Sequence, residues 1–179
     1  ARRTPRGTVL RAERDYRVVT VGLALCAGFA VAYAALQPGG IPLSAALVRD
    51  AIIFAVLAII ADEMSVEVSD RVTLSAGNLP ILLAIMYTGR IPALGVAAIV
   101  GLWGAWRETS GDIVVYNAAN YVVSAFVASL AFTALLGVVQ VGLEHVTAGL
   151  LLSGAVAALV WEATNLTLLS LGMRVKYGR

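Results

Sequence analysis

The chain has 179 residues, of which 60% are hydrophobic and only 13% charged, with a formal net charge of +2. A soluble globular domain carries roughly 25% charged residues, so an ordinary soluble domain is excluded. The apolar residues come in blocks near the roughly 20 needed to cross a bilayer core, which points to one compact membrane domain.

The N-terminal run "ARRTPRGTVLRAERDYR" carries Arg2, Arg3, Arg6, Arg11, Arg14 and Arg17. Residues 1–15 read as a basic juxtamembrane segment held on the cytoplasmic side, in preference to an arm for nucleic acid, and no nucleic-acid partner is expected. A signal peptide does not fit, because the arginine-rich part is long and the apolar part continues without a clear cleavage site. The lone cysteine, Cys26, falls in the first apolar block, so there is neither a disulfide framework nor a cysteine metal motif.

Six apolar segments follow, at about Tyr16 to Leu36, Ser44 to Met64, Leu74 to Gly89, Pro92 to Trp106, Ile113 to Gly137 and Thr147 to Met173. The third and fourth are short. "QPGGIP", "TGRIP" and "RETSGD" supply turn signals between segments. The expected fold is therefore an all-α integral membrane protein, a six-helix transmembrane bundle over residues 16–173 with a short third helix. Six spans put both termini on one side. Arg71, Arg107, Arg174, Lys176 and Arg179 join the N-terminal arginines there, against Arg90 in the opposite loops, so that side is expected to be cytoplasmic. The expected location is the inner membrane of a bacterial cell, with residues 174–179 leaving it toward an output domain beyond this chain.

Between the second and third segments stands "SVEVSDRVTLSAGNLP", Ser65 to Pro80. Val66, Val68, Val72 and Leu74 alternate with Glu67, Ser69, Thr73 and Ser75 around Asp70-Arg71, a period of two that predicts an extended element or hairpin. Such backbone is tolerated at membrane depth only when covered by protein or lining a water-filled cavity. A loop lying on the cytoplasmic membrane surface is the alternative. Gly77, Asn78 and Pro80 mark the start of the short helix, and extended entry into a short helix resembles the broken segments of transporter and receptor sites.

Small residues recur every four positions at Ala24, Gly28, Ala32, at Ala97, Gly101, Ala105 and at Gly149, Ser153, Ala157, a pattern whose default use is close helix packing. Ionisable groups at membrane depth are costly, at roughly 2.5 to 3.5 kcal/mol for a central charge. Glu162 in "VWEATNLTLL", with Thr164 and Asn165 nearby, is therefore the first site candidate, either as a ligand or proton site or as a polar contact between helices. Asn117, Asn120, Tyr121 and Ser124 share a face of the fifth segment and can bond another helix or a polar ligand. Trp103, with Trp106 and Arg107, closes the fourth segment as an interfacial anchor or part of a binding cage. Glu67 is the acidic candidate of the extended stretch.

His145 has no second histidine with which to build a usual metal set, and phosphate-loop, HExxH and G-x-S-x-G motifs are missing. The only lysine, Lys176, lies beyond the last segment and cannot carry a retinal Schiff base within the bundle. No catalytic residue, metal or cofactor is expected. The chain reads as non-enzymatic.

The pieces "VEVSDRVTLS", "GRIPALGVAAIVG", "RETSGD" and "YNAANYVVSA", covering the middle half of the chain, resemble an N-terminal membrane domain of bacterial signalling proteins that carry HD-GYP, GGDEF or kinase-type output modules. "RETSGD" is less basic than the usual loop, and Asn120 stands where Gln is common. The resemblance implies a sensory or regulatory module that binds a small or lipophilic ligand, or senses the membrane, and relays a helix shift to a cytoplasmic domain. The expected partners are the lipid bilayer, such a ligand and the output domain, with room for a homodimer. By architecture alone the chain is also similar to the substrate-binding S components of energy-coupling vitamin transporters. A third reading is a structural anchor without ligand.

Overall fold

The computed structural model describes residues 6–37, 44–64, 66–69, 72–74, 77–106, 110–142 and 146–178. Among them are six helices, α1 (Arg6–Leu36), α2 (Ala45–Glu63), α3 (Asn78–Thr88), α4 (Arg90–Ala105), α5 (Gly111–Gly142) and α6 (Val146–Tyr177). Two strands, β1 (Val66–Ser69) and β2 (Val72–Leu74), lie between α2 and α3. They pair antiparallel, Val66 opposite Leu74 and Glu67 opposite Thr73, with an irregularity between Glu67 and Ser69. The hairpin read from the period-two alternation is present. Whether it covers the bundle lies outside the described residues, as do the side chains of the hairpin, the 107–109 turn and His145.

Local chemistry sets the element ends. The Ser44 hydroxyl accepts the Leu47 N–H and caps α2 at 3.2 Å. Pro80 and Pro92 sit in the first turns of α3 and α4, where a missing N–H costs nothing. Between those helices Gly89 takes φ +81, a conformation that L side chains rarely adopt, and so permits the break. The first helix begins at Arg6, ten residues before the apolar block, because straight-chain arginines are good helix formers even where they are not apolar.

Three helices, α1, α5 and α6, contain stretches long and apolar enough to cross a membrane, at Ala12–Leu36, Gly111–Val138 and Ala148–Tyr177. Charges at both ends of α2, Arg49-Asp50 and Asp62-Glu63, leave only Ala51–Ala61 as its uninterrupted apolar run. The 11 residues of α3 and the 16 of α4 reach about 16 Å and 24 Å at 1.5 Å per residue. Each of the six predicted segments contains a helix, the third only from Asn78 because Leu74 belongs to β2, and three of the helices, not six, are sufficient spans by length and composition.

Contacts between helices give their directions. Tyr16 and Tyr33 of α1 meet Tyr116 and Phe126 of α5, so these two run parallel. Arg90 of α4 bonds Ser129 of α5, and Gly101 lies against Ala118, so α4 is antiparallel to α5. Asn120 with Asn165, and Tyr121 with Trp161, make α6 antiparallel to α5 as well. Trp103 reaches Glu63, which sets α2 parallel to α4, while Asn78 with Glu162 and Met86 with Gly154 set α3 against α6. Directions thus alternate along the chain. The start of α1 and the end of α6 come to the same end of the bundle, where the Lys176 ammonium lies 5.1 Å from the centre of the Tyr16 ring.

Packing is inverted relative to a soluble bundle. Ala27, Ala30, Ala58, Ala84, Ala93, Ala97, Ala125 and Ala128 are buried, whereas Leu25 and Phe29 are each 70% exposed. Lipid-facing helices pack through small residues because hydrophobic exclusion offers little drive between them in lipid. A Cβ at Gly101 would stand 2.7 Å from the Ala118 Cα, so that glycine sets how closely α4 approaches α5. The buried Ser153 and Ala157 likewise face the core, while a Cβ at Gly28 would meet nothing within 4 Å.

Candidate functional site

Where α2 ends and α3 begins, five helices contribute polar or aromatic side chains to one layer. On α5, Asn120 is 2% exposed. Its Nδ2 donates to Asn165 Oδ1 of α6 at 2.7 Å, while its own Oδ1 accepts the Ser124 hydroxyl at 3.4 Å. Asn120 lies nine residues into α5, about 13 Å along its axis. An asparagine there without a partner would lose its water hydrogen bonds for nothing. The Asn120–Asn165 bond avoids that cost and fixes the register of α5 against α6.

One turn before Asn165 on α6, Glu162 is exposed, and its Oε1 accepts the Asn78 side-chain amide at 2.8 Å. Asn78 is the first residue of α3, so the short helix begins at the depth of this carboxylate. At the close of α2, Glu63 Oε1 accepts Trp103 Nε1–H at 3.1 Å, and Asp62 lies beside Gly104 of α4. Tyr121 packs edge to face on Trp161, ring centres 5.7 Å apart. The Trp161 side chain is fully buried and its Nε1–H has no acceptor among the described residues.

The sequence-predicted residues therefore divide. Asn120, Tyr121, Glu162 and Asn165 come together, and Trp103 donates to Glu63 at the end of α2. Asn117 does not belong to this layer; it lines a cavity of about 200 Å³ with Tyr16, Tyr116 and Gly172 nearer the end of α6. The Glu67 side chain lies outside the described residues. Sequence reasoning missed four members. Asn78 reads only as a helix start, Asp62 and Glu63 only as interface charges, and Trp161 only as an apolar neighbour of Glu162.

Chemically the layer offers an exposed carboxylate at helix depth, a second acidic end at α2, amide donors and acceptors, and aromatic edges. Among the described residues no group of three His, Cys, Asp or Glu is placed to hold a metal ion. Comparison with family models, with curated proteins and with solved structures yields no significant match.

Proposed function

We propose that the chain is a membrane-embedded sensory domain, similar to those that precede bacterial signalling modules, in which the Asn78–Glu162 and Asn120–Asn165 layer receives a small polar or amphiphilic ligand from the cytoplasmic side. The observation that carries this reading is the continuity of α6, one 32-residue helix that bears Glu162 and Asn165 and leaves the bundle at Tyr177. A ligand that alters the hold of Asn78 on Glu162 acts directly on the helix that exits toward any output domain. It biases that helix only by its difference in affinity for the two positions, about 1.4 kcal/mol for each tenfold.

Alternating helix directions support six crossings with both termini in the cytoplasm. Of the 13 Lys and Arg residues only Arg49 and Arg90 belong to the far end, and Arg49 is neutralised by Asp50 at 2.8 Å. The 19 residues of α2 reach about 28 Å, close to the bilayer core. The buried Trp161 donor favours a ligand acceptor in the layer, because natural interiors seldom leave such a group unpaired.

The test uses the full-length protein with its output measured in cells. Glu162→Gln and Asn120→Ala, expressed at the wild-type level, are expected to shift basal output or abolish its response. Unchanged output in both variants, or a reporter fused after Arg179 that proves extracytoplasmic, contradicts the proposal.

A further inference from the structure

We infer that the cytoplasmic mouth of the bundle is a site for the headgroup of a zwitterionic phospholipid. Two adjoining cavities, of about 300 and 200 Å³, share Tyr16 and Lys176 where α1, α5 and α6 meet. The larger holds Glu13, Arg17, Ser110 and Asp112. The smaller is walled on one side by Ile113, Leu169 and Met173. A polar chamber adjoining one with an apolar wall, at the end of three membrane-length helices, has the shape requirements of an amphiphile.

Charge selects the kind of amphiphile. Arg17 is held by Asp112 at 3.4 Å. Lys176 is instead held by aromatic faces, with its ammonium 5.1 Å from the Tyr16 ring centre and 5.4 Å from that of Tyr177, and no carboxylate pairs with it among the described residues. Cation–π contact positions an ammonium while leaving its N–H donors available to a phosphate. Glu13 faces the same chamber and pairs with no cation among the described residues, which leaves a carboxylate for the ligand's own ammonium. Two positive and two negative side chains make the chamber neutral, so a headgroup that carries both charges is matched where a purely anionic one meets Glu13 and Asp112 as repulsion.

The site adjoins the last turn of α6, so its occupancy bears on the same helix as the polar layer. The inference rests on this end of the bundle lying at the membrane surface, but not on the layer binding anything. It is tested with the purified full chain by native mass spectrometry of retained lipid, offering phosphatidylethanolamine, phosphatidylcholine and phosphatidylglycerol in equal amounts.

Both zwitterionic lipids are expected to be retained at least fivefold over phosphatidylglycerol. Glu13→Gln should abolish that preference and Lys176→Gln should lower retention of all three lipids severalfold, while Lys176→Arg and Arg14→Gln keep both retention and preference, with thermal unfolding in the same detergent confirming that the variants fold. Equal or greater retention of phosphatidylglycerol, unchanged selectivity in Glu13→Gln, or unchanged retention in Lys176→Gln overturns the inference. So does displacement of the lipid by free phosphoethanolamine at equal concentration, which assigns the chamber to a soluble headgroup. Loss of selectivity with unaltered response in Glu162 variants, or the reverse, separates this site from the polar layer.

Discussion

The Asn78 side chain donates to the Glu162 carboxylate at 2.8 Å, joining the first residue of a half-length helix to the middle of the last. Removing the amide leaves the carboxylate without that donor. Because the pair is exposed, Asn78→Ala is expected to lower stability by only about 1 kcal/mol, read as a Tm lower by a few degrees in detergent. A loss of 3 kcal/mol or more would show that the bond is structural and not adjustable by a ligand.

The Asn120–Asn165 bond should behave differently, since Asn120 is buried. Asn120→Ala strands the Asn165 acceptor and is expected to cost about 1–3 kcal/mol. A double-mutant cycle with Asn165→Ala should return a coupling of about 0.6–1.7 kcal/mol, the range of interhelical hydrogen bonds in membranes. A coupling near zero would mean that the two amides do not support one another in the folded protein.

Glycine tolerance offers a test of packing. Gly101→Ala forces a Cβ to 2.7 Å from the Ala118 Cα, a backbone atom that cannot swing aside, and is expected to cost about 1–3 kcal/mol by driving α4 off α5. Gly28→Ala meets nothing within 4 Å and should be neutral or slightly stabilising through helix propensity. Parallel unfolding measurements in detergent decide this, and equal effects would contradict the close α4–α5 approach.

Near the exit of α6, the Tyr116 hydroxyl donates to the Leu168 carbonyl and its ring lies against Gly172. Gly172→Ala places a Cβ 2.7 Å from the ring, and the hydrogen bond holds that ring in place. Its effect should therefore be relieved in part by Tyr116→Leu, which removes the obstructing atoms. Strictly additive losses in the double variant would show that the notch and the ring are unconnected.

Much of this architecture is legible in the chain because its signals are local. Pro80, Gly89 and Pro92 mark the helix breaks from the backbone chemistry of single residues, and the alternation from Val66 to Leu74 marks the hairpin. Asn117, Asn120 and Tyr121 are readable as one face by spacing alone, yet Asn117 turns out to line a cavity outside the polar layer, since neighbours on one face reach different depths. The partner of Glu162 is illegible for another reason: Asn78 lies 84 positions away, and only the antiparallel setting of α3 against α6 brings them together. Asp62 and Glu63 look like interface charges because they end a helix, but α2 ends beside Trp103 and Gly104, in the polar layer.

Whether Glu162 faces a water-connected site or lipid is decided by thiol accessibility. In a Cys26→Ala background, Glu162→Cys is treated in membrane vesicles of each orientation with a membrane-impermeant thiol reagent, beside Leu159→Cys, whose native side chain is 71% exposed on the same helix. The sensory reading predicts that Glu162→Cys is labelled from the cytoplasmic face while Leu159→Cys stays unlabelled. Labelling of neither position, or of Glu162→Cys only from the opposite face, would contradict it.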